Sequence, residues 1–122
     1  MLVASLFVAG ALGAPARYLL DGFVQSRTHR VFPWGTFVVN ISGSFVLGIV
    51  TGWALYHGLG NLPHVAIGTG FCGAFTTFST FSYETVRLLE EGSVIESTLN
   101  TLGSVAAGLI AAGAGLALMA AV

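Results

Sequence analysis

The chain alternates between long apolar runs and short polar connections. A helix needs about 20 mostly apolar residues to cross a membrane, because each residue advances it by about 1.5 Å. The pattern predicts four such spans, over residues 2–23, 34–56, 64–91 and 94–121. Turn and charge signals fall between them, as at Pro33 ahead of the second span. We therefore expect a single domain over residues 1–122, built from four membrane-spanning helices with short connections.

The third run differs from an ordinary membrane helix in the stretch GFCGAFTTFSTFSYE, residues 70–84. Its glycines and the pair Thr76 and Thr77 lower the helix propensity of the segment. We therefore expect a broken or locally unwound helix around residues 73–77. Backbone that is not helical survives at membrane depth only where protein or a water-filled cavity satisfies its polar groups.

Composition supports a membrane protein. Hydrophobic residues make up 55% of the 122 residues and charged residues 7%, and the mean hydropathy is +0.88. A soluble domain typically carries about a quarter charged residues. The net charge is −1 and lysine is absent from the sequence, so we expect no nucleic-acid partner. The first apolar run follows no positively charged stretch, so we interpret it as a spanning helix rather than a secretory signal. The fold class is therefore an all-α integral membrane protein in a lipid bilayer.

Small and polar residues recur every four positions in the second span and so share one helix face. They are Thr36, Asn40, Ser44, Gly48 and Gly52, and the fourth span has Ala107, Ala111 and Gly115 at the same spacing. Small residues at this spacing let helix backbones approach closely. Packing within one subunit and association of two subunits both remain open. The number of such faces in so short a chain favours a homodimer.

Polar and aromatic residues at membrane depth suggest a path for an ion, because polar groups are costly there. The amide of Asn40 either bonds a neighbouring backbone or offers two N–H donors to an anion. Phe78 and Phe81 share a face next to Thr77 and Thr80. The positive edge of a phenyl ring and a hydroxyl donor can attract a small anion without a full charge to trap it.

The fourth span carries hydroxyls at Ser97, Thr101 and Ser104. Such hydroxyls either bond the carbonyl four residues earlier or, near Asn40, form a wet polar track. The helix break offers the opposite chemistry, because unwound carbonyls can coordinate a cation.

Arg17 lies late in the first span and Glu84 late in the third. Arg17 could pair with Asp21, four residues later, or with Glu84 on another helix. For both Arg17 and Glu84 we expect a structural role or a position at a pore mouth.

Catalytic chemistry is not indicated. The histidines, His29, His57 and His64, fall in the connections without metal-ligand spacing or a nucleophile partner. We therefore expect no enzyme activity.

The chain resembles the Fluc (also called CrcB) fluoride channels over essentially its whole length. The matching pieces are GAPARY at residues 13–18, PWGTFVVNISGSFVLG at 33–48 and GFCGAFTTFSTFSYE at 70–84, of which the last two are highly specific. The resemblance implies an antiparallel, dual-topology homodimer in the cell membrane of a microbe, with the third helix of each subunit broken. It also implies a fluoride-selective channel that exports cytoplasmic fluoride by passive electrodiffusion and confers fluoride resistance.

The resemblance also implies roles for individual residues. Asn40, Phe78 and Phe81 match the family's pore residues, and Ser104 and Thr101 match its hydroxyl track on the fourth helix. Together with Thr77 and Thr80 they form the expected fluoride pore. The backbone carbonyls of Gly73 and Thr76 match positions that bind a structural, untransported Na⁺ between the subunits. Glu84 fits an acidic position at the pore mouth, and Arg17 fits a membrane-embedded arginine.

Three alternatives stay open. Arg27, Arg30 and Arg87 fall toward one side, and this bias would fix one orientation and require an oppositely inserted second chain. A small four-helix, proton-coupled multidrug exporter would need a carboxylate midway along the first helix, where this chain has only Asp21 near the end. A membrane assembly factor without transport would explain the packing glycines but not the polar track.

Overall fold

A computed structural model of the chain describes residues 1–28 and 30–122. His29, one of the histidines considered above, lies outside the described residues. The elements are α1 (Leu2–Arg27), α2 (Trp34–His57), α3 (Asn61–Val65), a π-helical stretch (Ala66–Cys72), α4 (Gly73–Phe75), α5 (Ser79–Glu90) and α6 (Val94–Ala121). The elements from α3 to α5 follow one another as a third helical segment. The described chain is therefore all-helical, with four helical segments.

Three of the continuous helices, α1, α2 and α6, are long and apolar enough to cross a membrane. Their outer surfaces carry large apolar side chains that face away from the protein, including Phe7, Leu109 and Ile110. Side chains of this kind suit contact with lipid rather than with water. The protein is therefore a multi-pass membrane protein.

Successive helical segments run in opposite directions, so the bundle has two ends. At the end where α1 finishes and α2 begins, which we call the Arg27 end, the Gly35 N–H donates to Gln25 Oε1 at 3.0 Å. At the opposite end, His57 Nε2 lies 2.8 Å from the Met119 carbonyl oxygen. Residues 1 and 122 both lie at this second end, as expected for four segments in alternating directions.

Helices α2 and α6 pack closely through glycines. A Cβ added at Gly48 would lie 2.9 Å from the Ala112 carbonyl carbon, and one at Gly115 would lie 2.8 Å from the Ile49 nitrogen. Gly52 packs in the same way against Met119. Of the two interpretations left open for these stripes, packing within one subunit therefore applies to Gly48, Gly52 and Gly115. They bring two helices of one subunit together, because only residues without a side chain permit this backbone approach.

Helix α1 packs against the π-helical stretch, again through small residues. A Cβ at Gly70 would lie 2.9 Å from Ala9 Cβ, and one at Gly13 would lie 3.2 Å from Ala74 Cβ. Gly68, Gly70 and Cys72 are the buried residues of the stretch, and Cys72 is a free thiol packed as a small apolar residue. A π-helix closes i→i+5 hydrogen bonds, and such turns are rare and frequently occur at functional sites. The stretch Ala66–Cys72 directly precedes Gly73, the first candidate site residue of the third segment.

We expect Gly115→Leu to destabilise the protein by about 1–3 kcal/mol, because the new side chain would separate the α2 and α6 backbones. The measurement is the midpoint of thermal unfolding in detergent, followed by tryptophan fluorescence. Gly113→Leu is the matched control on the same helix, since nothing lies within 4 Å of a Cβ at Gly113. Equal loss of stability in the two variants would contradict the assignment of Gly115 to the helix crossing.

Candidate functional site

The helical path of the third segment is interrupted between α4 and α5. Helix α4 ends at Phe75, Thr76 has extended backbone with φ −79° and ψ 160°, and α5 begins at Ser79. The interruption therefore lies over residues 76–78, later than the start of the expected range. Gly73 is helical, with φ −63° and ψ −38°. Low glycine propensity is thus not what ends the helix at this point.

A side chain of α2 holds the interrupted backbone. Asn40 Nδ2 donates to the Thr77 carbonyl oxygen at 2.9 Å, and the Thr77 N–H donates to Asn40 Oδ1 at 2.8 Å. One amide side chain thus satisfies both polar groups of one peptide residue. An amide nitrogen carries two N–H groups, so one donor of Asn40 stays available after this pairing. The two functions considered for Asn40, bonding a neighbouring backbone and offering a donor, are therefore compatible in this geometry.

Two carbonyls at the interruption lose their helical donors. In a continuous α-helix the Thr77 N–H would donate to the Gly73 carbonyl and the Thr80 N–H to the Thr76 carbonyl. Here the Thr77 N–H is taken by Asn40, and the Thr80 N–H donates to Thr77 Oγ1 at 3.1 Å. The second bond has the spacing of a helix N-cap, with the hydroxyl accepting from the residue three positions later. Gly73 and Thr76 therefore present carbonyl oxygens that a cation could use.

A groove of about 370 Å³ opens beside the interruption, between α2, the third segment and α6. It gathers most of the residues that the sequence nominates, namely Asn40, Gly73, Thr76, Thr77, Phe78, Phe81 and Ser104. Ser44 also lines it, one helical turn along from Asn40. None of the described residues that line the groove is charged. The groove therefore combines neutral hydrogen-bonding groups with aromatic rings.

The two phenylalanines of the groove form a contacting pair. Their ring centroids lie 6.0 Å apart with the ring planes at 46°, within the range of favourable aromatic contacts. Phe78 is 79% exposed on the single subunit. An exposed ring of this size beside an open groove is a surface that lipid or a further protein chain would cover.

Hydrogen bonds between α5 and α6 form a polar cluster beside the groove. Asn100 is fully buried, and its Nδ2 donates to Thr85 Oγ1 at 2.8 Å. Ser104 Oγ donates to Asn100 Oδ1 at 3.3 Å, and Ser97 Oγ donates to the Thr85 carbonyl at 2.9 Å. Thr101 stands apart, since its hydroxyl donates to the Ser97 carbonyl of its own helix at 3.0 Å. Thr101 is also absent from the lining of the groove.

Sequence reasoning missed Asn100 and Thr85. A signal for Asn100 was present, because it lies three residues after Ser97 and four before Ser104, on one helix face. Asn100 interrupts the stripe of hydroxyls with an amide, and the stripe alone therefore does not mark it. No signal marked Thr85, whose role depends on its neighbour in α6. Thr85 Oγ1 also donates to the Phe81 carbonyl at 2.8 Å, so the cluster reaches the backbone of a groove residue.

The two charged candidates lie outside the groove lining, as does Thr80. The Thr36 hydroxyl donates to a carboxylate oxygen of Glu84, toward the Arg27 end. Arg17 Nε is buried without a hydrogen-bond partner. Neither of the pairings left open for Arg17 forms, since the described residues contain no salt bridge to Asp21 or Glu84. Arg17 and Glu84 are therefore separate features and not an ion pair.

Metal-binding side chains are not clustered in the described part of the chain, where no group of three or more His, Cys, Asp or Glu residues could hold an ion. His57 ends α2 and His64 lies in α3, at the end opposite Glu84. A cation at the interruption would therefore bind neutral oxygen atoms, such as the backbone carbonyls, and oxygen is the ligand type that hard cations prefer.

Comparison with known proteins gives matches along nearly the whole chain. The family described as "CrcB-like protein, Camphor Resistance (CrcB)" matches residues 4–116. A relative from Streptomyces avermitilis, named fluoride-specific ion channel FluC 1, is 54% identical over 114 residues, which cover 91% of this chain and 90% of that protein. A relative of the same name from Frankia casuarinae is 51% identical over 126 residues, which cover 96% of this chain and 95% of that protein.

A relative from a different bacterial genus extends the similarity. The fluoride-specific ion channel FluC of Geobacter sulfurreducens is 45% identical over 115 residues, covering 93% of each chain. The alignments include the stretches that form the groove, and neither partner leaves a large part of its length unmatched. The family match and these full-length similarities show that the chain belongs to the CrcB family.

Proposed function

We propose that the protein is a fluoride-selective ion channel that exports cytoplasmic fluoride by passive electrodiffusion and so confers fluoride resistance on a bacterium. The observation that carries this proposal is the groove with an uncharged lining, where an amide, hydroxyls and two phenyl rings meet. The names of the relatives support a channel rather than the multidrug exporter. The only acidic residue of α1, Asp21, packs against Gly35 near the Arg27 end, away from the middle of the helix that an exporter would use.

An uncharged lining suits rapid passage of a small anion. A fixed positive charge would bind fluoride too tightly, whereas neutral donors can replace its water and still release it. The second N–H of Asn40 is the donor that the pairing with Thr77 leaves over. The hydroxyls of the lining already donate elsewhere, Ser44 to the Asn40 carbonyl and Ser104 to Asn100. A hydroxyl that rotates toward fluoride would exchange one hydrogen bond for another, which keeps the net binding energy small.

The proposed assembly is an antiparallel, dual-topology homodimer. Its support is that the groove is open on one side of the single subunit, with Phe78 exposed at the rim. A second copy inserted in the opposite direction would cover this side and enclose the path. Arg27, Arg30 and Arg87 all lie at the Arg27 end, so the alternative of two different chains with opposite orientations keeps its support.

The carbonyls of Gly73 and Thr76 would hold the structural Na⁺ of the proposed dimer. Their fit rests on the two N–H groups that donate to Asn40 and Thr77 instead, which leaves both carbonyl oxygens without their helical donors. A bound Na⁺ would neutralise the partial negative charge of these oxygens and tie the two interrupted helices together. It would not be transported, since it contributes to structure and not to flux.

The first test is flux from liposomes that contain the purified protein. We expect rapid fluoride efflux, recorded with a fluoride electrode in the presence of valinomycin, and no chloride efflux in a parallel assay. Liposomes without protein are the control. Absence of fluoride efflux from folded protein would contradict the channel proposal, and efflux that needs an added second chain would establish the two-chain assembly.

Replacement of the groove rings tests the aromatic part of the path. We expect Phe78→Ile and Phe81→Ile to lower fluoride flux by about tenfold or more, equivalent to about 1.4 kcal/mol or more on the barrier, because an aliphatic side chain has no positive edge. Phe7→Ile is the matched control, since Phe7 is 75% exposed on the outer face of α1. Wild-type flux in both groove variants, with the oligomer intact by size-exclusion chromatography, would remove the rings from the proposal.

Removal of Na⁺ tests the carbonyl site. We expect exhaustive exchange into N-methyl-D-glucamine to lower fluoride flux and the thermal stability of the oligomer, and we expect added Na⁺ to restore both. Stability is measured in detergent without fluoride, so that this readout is independent of transport. Unchanged flux and stability after Na⁺ removal, verified by atomic absorption, would rule out a structural Na⁺.

A further inference from the structure

A second cavity lies on another part of the surface, at the Arg27 end. It has a volume of about 580 Å³, within the range of about 300–1,000 Å³ common for small-molecule sites. Its wall combines the connection before α2, the start of α2 and the start of α6, with Arg30, Phe32, Trp34, Phe37, Glu96 and Leu99 among its residues. It shares no residue with the groove described above.

Three aromatic rings form one side of this cavity. Phe32 lies 4.7 Å from Trp34 and 5.7 Å from Phe37 between ring centroids, and Trp34 lies 5.6 Å from Phe37. Two of these contacts are edge-to-face, with interplanar angles of 67° and 83°. The cluster sits where α2 begins, and tryptophan at such a position favours the level of the lipid headgroups.

Two residues of opposite charge also line the cavity. Arg30 precedes α2, and Glu96 lies in the first turn of α6. Both line the cavity, yet the described residues contain no salt bridge between them. The pair that does form at this end joins Arg87 to Glu91 at 3.7 Å. The cavity therefore offers a cation and an anion that are separately available to one ligand.

We propose that this cavity binds a zwitterionic phospholipid with a primary ammonium group, of the phosphatidylethanolamine class. The Arg30 guanidinium would bind the phosphate, which it matches in charge and in planar donor geometry. The Glu96 carboxylate would accept hydrogen bonds from the ammonium group. The rings of Phe32, Trp34 and Phe37 and the side chain of Leu99 would contact the glycerol and the first acyl carbons.

The charge arrangement favours this headgroup over other common ones. Phosphatidylcholine has the same phosphate and charge, but its quaternary ammonium has no N–H to donate to Glu96. An anionic headgroup such as that of phosphatidylglycerol would match Arg30 and would be repelled by Glu96. The inference concerns lipid recognition, and it does not rest on the proposed fluoride function.

The experiment is native mass spectrometry of the purified protein titrated with palmitoyl-oleoyl phosphatidylethanolamine, with phosphatidylcholine and phosphatidylglycerol of the same chains in parallel. We expect the wild type to bind the ethanolamine lipid about tenfold more tightly than the choline lipid, as for one hydrogen bond to a charged group. Glu96→Gln should lower ethanolamine-lipid binding to the choline level. Arg30→Gln should weaken the binding of both lipids. Arg30→Lys should bind them more tightly than Arg30→Gln, because it keeps the positive charge.

Arg87→Gln is the control, because Arg87 lies at the same end and outside the cavity. It should leave the lipid preference unchanged. Equal binding of the ethanolamine and choline lipids to the wild type would overturn the proposal, as would preference for the anionic lipid. Wild-type preference in Glu96→Gln, or wild-type affinity for both lipids in Arg30→Gln, with unfolding midpoints that show folded protein, would also overturn it.

Discussion

The candidate site depends on the pair of hydrogen bonds that Asn40 makes with the backbone of Thr77. A helix that stops inside a membrane leaves N–H and C=O groups without partners, and each buried group left so costs about 1–3 kcal/mol. The Asn40 side chain satisfies one N–H group and one C=O group, both of Thr77. The same pairing takes the donor of the Gly73 carbonyl next to the extended Thr76. Helix α5 then begins at Ser79, with Phe78 just before it and Phe81 within it, both beside the groove. Position, polarity and shape of the site thus follow from one contact between α2 and the third segment.

Close packing makes that contact possible. Gly43 lies on α2 against Phe75, the last residue of α4, and Thr76 of the interruption. Gly48 and Gly52 hold α6 close on the continuation of α2. In a membrane there is little hydrophobic driving force between helices, so backbone proximity and interhelical hydrogen bonds carry the association. The polar cluster around Asn100 supplies the hydrogen bonds between α5 and α6. One subunit therefore uses small residues on one pair of helices and buried polar residues on the other.

The sequence predicts the parts of this structure that depend on local pattern. Apolar run length is enough to place α1, α2 and α6, because hydropathy and rise per residue are local properties. Asn40, Phe78 and Phe81 could be nominated because polar and aromatic residues at membrane depth need a reason. Which side chains contact each other across helices could not be predicted from the sequence. Gly73 stays helical, Thr101 bonds its own helix, and Thr85 enters the cluster only because Asn100 faces it. The use of Gly48 within one subunit likewise depends on where α6 lies.

In the π-helical stretch before the interruption, inserting or deleting one residue has a different structural effect from substituting one. Each residue of an α-helix turns the chain by about 100°, so the number of residues in Ala66–Cys72 sets the direction in which everything after it points. A change of one residue in length there would rotate Gly73, Thr76 and the two phenylalanines away from Asn40 without altering any of them. The length of that stretch is therefore a constraint on this chain in addition to the small residues that pack it against α1.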